Sequence, residues 1–416
     1  MRLLVVTQYF WPEEFRINDL VAELSARGHR ITVLTGIPNY PSGTVFPEYA
    51  ANPDGFQKYA DAEVIRVPMA SRGQGKLRLV VNYATFAVSA TVVGLKALAG
   101  HRFDAIFVFE PSPITVGIPA IVLRAVRGWP VAFWVLDQWP ESLAAVGVIR
   151  SPLLLGLVGR LVRFIYARCD LILTTSRRMI PLIAAYCRPG QPIEYFPNWT
   201  EAAFERETTQ TLPETLRRPG TFNIMFAGNI GEAQDFPAIL DAAERLRDRA
   251  EIRWVIVGDG RMAAWVRDEI LRRGLQKRMV MLGRSPADNM PTMLRQADAL
   301  LVSLKADPVF SMTAPGKIQS YLAAGIPVLA MLDGEGAHVI EQARAGMATA
   351  AGNGAGLAGN VELLVALAPE ARAALGANGA AYARREFGRT ELLDRLEGWL
   401  SELAGGPNSR AGPNDP

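Results

Sequence analysis

Short apolar runs alternate with amphipathic helical stretches along almost the whole chain. That alternation restricts it to α/β architectures with mostly parallel sheets. Leu3–Val6 reads as a first buried strand, Ile17, Leu20, Val21 and Leu24 mark one face of a helix ended by Gly28, and Ile31–Leu34 is the second strand. Further strands are expected at Ala105–Phe109, Val131–Leu136, Leu171–Thr174 and Ile193–Phe196, with helices at Leu79–Ala99, Pro119–Val126 and Leu153–Arg168. The pattern breaks into a polar, charged run from Thr200 to Gly220 and then restarts. Ile224–Ala227 is a strand, Phe236, Ile239, Leu240 and Ala243 mark a helix, and Trp254–Val257 is the next strand. Leu3 to Val33 and Met225 to Val255 span the same thirty positions, so two Rossmann-like halves are expected, each offering the carboxyl ends of its strands to a ligand.

With 416 residues, half of them apolar and a fifth charged, the chain has enough material for two sizeable cores. The net charge of +3 is too small to imply a nucleic-acid partner. Two cysteines, Cys169 and Cys187, and three scattered histidines, His29, His101 and His338, offer no metal-ligand spacing, so no metal site is expected. The apolar run at Leu3–Thr7 is too short for a secretory signal and is broken at once by Gln8 and Pro12, so the first strand is expected to open the domain. Leu79–Leu95 holds seventeen residues without formal charge, including Asn82, Tyr83 and Thr85. It is short for a bilayer span and reads as a helix packed within the fold or dipping into a membrane interface. Thr390 caps a last helix with Leu393, Leu396, Leu400 and Leu403 on one face, and residues from 404 on have the composition of a disordered tail.

The densest signal is Thr313–Ala330, TAPGKIQSYLAAGIPVLA. Gly316 allows close backbone approach, Lys317 puts a charge in the first helical turn, and Ile318, Tyr321 and Leu322 form the buried face. Free N–H groups beside a lysine suit a phosphate, although the same corner can be an ordinary loop-to-helix joint. Two glycine corners join it on the same predicted sheet edge: Ala227–Gly231, with Asn229 and Gln234 nearby, and Gly258-Asp259-Gly260. Taken alone, the second corner suggests a nicotinamide cofactor, with Arg284 beside a 2′-phosphate, or else a plain turn that tightens the fold. In the first half, Asp137 and Glu141 follow an apolar strand and can orient or deprotonate a hydroxyl, or simply cap a turn. Tyr9–Arg16, YFWPEEFR, follows the first strand, and can clasp a polar acceptor or pack against Ile37–Phe46. The chain has no Asp-x-Asp, Walker, Gly-x-Ser-x-Gly or His-Glu-x-x-His motif.

The segments TQYFWPEEFRINDL, RGHRITVLTGIPNYPSG, LDQWPES, YFPNWTE, FAGNIGEAQDF and PGKIQSYLAAGIPVLA together resemble the family 4 retaining glycosyltransferases, closest to their WbuB-like and WcaI-like branch. The resemblance runs from residue 1 to about 330. It implies a GT-B fold: two Rossmann-like domains facing across a cleft, with a C-terminal helix crossing back to the first. The expected division is an acceptor-binding domain over 1–200, a linker over 201–220, a nucleotide-sugar-binding domain over 221–388, the returning helix over 389–403 and a tail over 404–416.

The implied activity is transfer, with retention and without metal or cofactor, of a sugar from a UDP- or GDP-linked donor to a polyprenyl-diphosphate-linked saccharide. The setting would be O-antigen, capsule or exopolysaccharide assembly. The enzyme would be cytoplasmic and peripheral at the inner face of the cell membrane. The resemblance places the donor at Gly228, Asn229, Gln234, Gly258, Asp259, Gly260, Arg284, Gly316 and Ser320. It places the acceptor at Tyr9, Glu13, Arg16, Asn18 and Tyr40, and catalysis at Asp137, Glu141 and Lys317. Two departures stand out: Met312 and Ser320 occupy the positions of the family's Glu-x7-Glu pair, and Asn229 and Gln234 replace its usual arginine and lysine. Neutralising a diphosphate would then rest on Lys317. Ser151–Cys169 interleaves leucines with Arg160, Arg163 and Arg168, as an interfacial helix would. A nucleotide-sugar epimerase of the same fold, an NADP-dependent oxidoreductase and a non-catalytic assembly scaffold are the alternatives.

Overall fold

The computed structural model describes residues 1–73, 75–145, 149–200, 204, 218 and 220–406. The chain divides into two units, Met1–Phe196 with the chain from Leu393 on, and Pro197–Leu392. The expected linker lies almost wholly outside the described residues, as does most of the expected tail.

The first unit is built on eight strands: β1 (Arg2–Val6), β2 (Arg30–Gly36), β3 (Lys58–Tyr59), β4 (Ala62–Val67), β5 (Ala105–Glu110), β6 (Val131–Val135), β7 (Leu171–Thr174) and β8 (Ile193–Tyr195). Their order across the sheet is β3-β4-β2-β1-β5-β6-β7-β8. All pairs are parallel except β3 with β4. Strands β1, β5 and β6 are covered on both faces, which explains their apolar runs Leu3–Val6, Ala105–Phe109 and Val131–Val135. Strand β4, AEVIRV, escapes that reading because Glu63 and Arg66 interrupt its apolar residues.

The second unit has β9 (Phe222–Ala227), β10 (Ile252–Val257), β11 (Met279–Gly283), β12 (Ala299–Ser303), β13 (Val328–Met331) and β14 (Gly346–Thr349), in the wholly parallel order β11-β10-β9-β12-β13-β14. Leu3 pairs with Ile31 and Met225 with Val255, so the two opening βαβ units share a layout but differ by two residues in length. Both sheets are doubly wound, and in each the order reverses beside the first strand, where an open α/β sheet receives ligands.

The uncharged stretch forms the helix Lys76–Ala97, of which Leu77–Ala97 has a composition able to cross a membrane. One face packs inside the first unit: Asn82, Phe86 and Ala90 are buried, and a β-carbon at Gly94 would lie 3.0 Å from Leu34. The opposite face leaves Leu77, Val80, Val88 and Val92 exposed. The last helix, Arg389–Gly405, is tied to the first unit from Leu393 on. Arg27 reaches Asp394 and Glu397 at 2.5 and 2.7 Å, His29 meets Glu397, and Arg395 donates to the Tyr195 carbonyl at 2.9 Å.

Candidate active site

In the second unit, a cavity of about 590 Å³ opens where β9 and β10 end. The three segments singled out in the sequence meet there: Gly228 and Asn229, Gly258 and Asp259, and Gly316, Lys317 and Ser320 all line it. Their approach is set by glycine. A β-carbon at Gly258 would stand 1.9 Å from the Gly228 carbonyl, and one at Gly228 (φ +131°) would stand 2.5 Å from Cε of Lys317. Side chains at either position would push the lysine or the neighbouring loop out of place.

Lys317 puts a cation on the wall of this cavity. Its Nζ lies 3.7 Å from the centroid of the Phe226 ring, and among the described residues no carboxylate pairs with it. Loss of hydration pushes its ammonium down to about 7. An anionic ligand would supply the missing counter-charge. The helix that carries it, Lys317–Ala323, is only seven residues long. The dipole of so short a helix adds little, so the side-chain charge carries more of the site than the sequence suggested. Tyr321 holds the helix in place: its hydroxyl donates to the Ala227 carbonyl at 3.1 Å and accepts from the Ala227 N–H at 2.9 Å. The Gln319 amide nitrogen braces the corner from below against the Gly316 and Pro315 carbonyls at 2.7 and 3.2 Å.

At the rim, Arg284 pairs with Asp259 at 3.4 Å, both well exposed. Gln234 and Gly260 do not line the cavity. The Gln234 side chain accepts from the Gly231 N–H at 3.0 Å and closes the first glycine loop. A β-carbon at Gly260 would lie 2.4 Å from the Ile230 carbonyl, so this glycine packs the two loops together. Ser320 lines the wall, whereas Met312 ends a short 3₁₀ turn outside it. Phe226 was hidden from sequence reading because it is one of six buried residues in a strand apolar but for Asn223.

The first unit gathers a second set of groups at the carboxyl ends of its strands. Tyr9, Phe15 and Tyr40 form a ring trio with centroids 5.2 to 5.4 Å apart. Glu13 lies buried beneath the loops and accepts from the N–H groups of Phe10, Asn39 and Tyr40 at 3.0, 2.8 and 2.7 Å. Burial nevertheless raises it to about 7. Asn18 accepts from the Trp11 N–H and donates to the Glu13 carbonyl, and Arg16 opens the helix Arg16–Ala26. Glu13 and Asn18 are thus spent on holding the loop, in which Tyr9 is buried and Tyr40 half-buried.

Asp137 accepts from the Trp139 indole N–H at 2.9 Å. Glu141 is engaged by the Tyr186 hydroxyl at 3.0 Å and by Gln138 at 3.3 Å. The residue missed here is Glu110, the last of β5. It is wholly buried, its Oε2 accepts from the Asp137 N–H at 3.4 Å and its Oε1 has no partner. Burial, with the Asp137 carboxylate adding to it, raises its carboxyl well above the usual range. Its only signal in the sequence was one acid closing an otherwise apolar strand.

Two doubly wound α/β units, each presenting polar groups at its strand carboxyl ends, define a two-domain α/β class, and the second unit carries a cavity lined by glycine backbone and a lysine. Residues 14–199 match the family described as "Glycosyl transferase 4-like domain", and residues 221–366 match "Glycosyl transferases group 1". The chain belongs to the family 4 glycosyltransferases of GT-B fold. It is 27% identical over 346 residues to WcaI of Escherichia coli K12, a glycosyl transferase named for colanic acid biosynthesis, covering 78% of this chain and 82% of the relative. It is 24% identical over 289 residues to WbjE of Pseudomonas aeruginosa, named as a glycosyltransferase, covering 67% and 69%. Among solved structures, Anabaena HepE in complex with UDP superposes with a TM-score of 0.69 at 15% identity, over 97% of this chain and 100% of that one. The lipopolysaccharide glycosyltransferase WaaG does so with a TM-score of 0.63 at 16% identity, over 98% and 100%. These two likenesses show the fold. Family membership does not favour the nicotinamide reading of the Gly258 corner.

Proposed function

We propose that the protein transfers a sugar, with retention and without a metal ion, from a nucleoside-diphosphate sugar to a lipid-linked saccharide in polysaccharide assembly. The observation that carries the donor half is Lys317, a desolvated ammonium without a carboxylate partner in a cavity floored by glycine backbone. A diphosphate satisfies that charge, and the ammonium in turn stabilises the leaving group as charge grows on it, by several kcal/mol where such donors are preorganised. The C1–O bond to the phosphate breaks, the acceptor oxygen bonds to C1 on the same face, and its proton passes to the departing phosphate oxygen. No nucleophile from the protein is required. Asp137 orients the acceptor hydroxyl, and Arg284 with Asp259 borders the nucleobase. UDP is favoured as the nucleotide because HepE was solved with it.

Names of the relatives, for colanic acid and lipopolysaccharide, support a polysaccharide product. The exposed apolar faces of Lys76–Ala97 and of the helix Pro152–Tyr166, where Leu153, Leu154, Leu157 and Phe164 are exposed, support peripheral attachment at the cytoplasmic face of a membrane. A thermal-shift screen of nucleotide sugars tests the donor. One stabilising donor, turned over with retained anomeric configuration when lipid-linked saccharide is added, is the expected result. Stabilisation by none of them would overturn the reading.

A further inference from the structure

The first unit carries a cavity of about 510 Å³ at the amino ends of β1 and β2, the opposite end of the sheet from Tyr9 and Asp137. Sugar transfer does not call for a cavity there, since an open α/β sheet receives its substrates at the strand carboxyl ends. Arg2, Arg30 and Arg102 line it. Arg2 and Arg30 are paired in register on neighbouring parallel strands, so two guanidinium side chains leave the sheet on one face. Like charges placed so cost stability that a shared anion would restore. Asp104 answers Arg2 alone: it accepts the Arg2 backbone N–H at 2.6 Å, and its other oxygen is 3.6 Å from the Arg2 guanidinium. Arg30 and Arg102 are exposed, and among the described residues no carboxylate pairs with either.

Most of the remaining wall is polar as well. His101 lies flat on Phe103, with centroids 5.9 Å apart, and the buried Phe103 ring meets Trp129 edge-on at 5.0 Å, which holds the imidazole in place. Asp61 and Glu63 enter from the turn between β3 and β4. Glu63 takes the Thr32 hydroxyl at only 3.4 Å, and neither acid has a guanidinium partner among the described residues. His29, also on the wall, is already engaged by Glu397. Guanidinium groups bind phosphate oxygens bidentately, whereas ionised carboxylates only accept, as from sugar hydroxyls. A cavity in which both kinds stand unpaired matches a ligand that carries phosphate and hydroxyl groups together. Its volume is that of a small-molecule site, far more than a bare phosphate ion fills.

We infer that this cavity binds a sugar phosphate, with Arg30 and Arg102 on the phosphate and Asp61 and Glu63 on the hydroxyls. The site shares no residue with the nucleotide cavity or with the loops around Tyr9 and Asp137. It therefore stands independently of the transfer reaction proposed above.

The test titrates glucose 6-phosphate, inorganic phosphate and glucose by calorimetry into the full chain carrying Lys317→Ala, so that the second unit's lysine cannot report. Glucose 6-phosphate is expected to bind saturably and more tightly than inorganic phosphate, and glucose not to register. Arg30→Gln with Arg102→Gln should weaken glucose 6-phosphate by about tenfold or more. Asp61→Asn with Glu63→Gln should leave inorganic phosphate bound at least as well, and shrink the advantage of glucose 6-phosphate over it by about fivefold. All four side chains are exposed, so the variants should fold, and circular dichroism checks this. Glucose 6-phosphate that does not bind, or that binds the arginine-substituted protein equally well, overturns the assignment. Inorganic phosphate matching glucose 6-phosphate would leave a bare anion site, and overturns it too. UDP affinity, read in the chain with Lys317 intact, should be the same with and without the two arginine substitutions; a loss there would contradict a separate cavity.

Discussion

Cε of Lys317 lies 2.5 Å from where a β-carbon on Gly228 would stand, so the glycine's missing side chain is the space the lysine occupies. Two segments far apart in sequence are fitted to each other around one charge. Substituting Gly228 with alanine should act mainly on that charge, because the group in the way is the far end of a flexible side chain. The strained φ of +131° adds about 1–3 kcal/mol of destabilisation. The expected outcome is a protein that still folds, with a lower melting temperature and UDP affinity reduced about tenfold. Isothermal titration beside a thermal melt checks both.

The Lys317 ammonium, held at about 7 in the free protein, should gain a proton when a diphosphate binds. The folded, ligand-free protein holds that proton less tightly than the complex does. Donor affinity is therefore full below about pH 7 and weakens as pH rises above it, by up to about tenfold per pH unit, until the complex itself deprotonates. Calorimetry in buffers of different ionisation heat should detect proton uptake near pH 8, and Lys317→Met should abolish it. UDP affinity independent of pH between 7 and 9 would contradict the assignment.

Tyr321→Phe removes the hydroxyl that satisfies both the N–H and the carbonyl of Ala227. Two buried backbone groups then lose a partner, which should cost about 1–3 kcal/mol in a urea melt. UDP binding should weaken as well, since the bond anchors the helix that carries Lys317.

Asp137 and Glu110 separate by charge. Asp137→Asn should lower transfer at least about tenfold with UDP affinity unchanged. Burial disfavours the charged form of Glu110, so Glu110→Gln, an amide of the same shape, should leave transfer within about twofold. Transfer rates with saturating donor decide it: an equal loss in both variants would mean that Glu110 works ionised.

The parallel layout was legible because strands buried on both faces read as apolar runs, as at Ala105–Phe109, Val131–Val135 and Ile224–Ala227. Strand β4 was not, since its charged residues hid it, and β14, GMAT, begins with a glycine and carries no β-branched residue before Thr349. Glycine corners and Lys317 could be found in the sequence because those residue types have few other reasons to follow a strand. Arg30, Phe226 and Glu110 could not, because an arginine, a phenylalanine and a strand-end acid acquire meaning only from what lies against them. Glu13 shows the reverse: an acid in a motif-like loop proved to be the peg around which that loop is wound.

The central claim is that one ammonium without a carboxylate partner in the second unit receives a nucleoside diphosphate. Titrating UDP into the protein and into Lys317→Ala at pH 7 tests it most directly. The predicted result is saturable binding that weakens by about tenfold or more in the variant, with unchanged circular dichroism. Equal UDP affinity in the two proteins would contradict it.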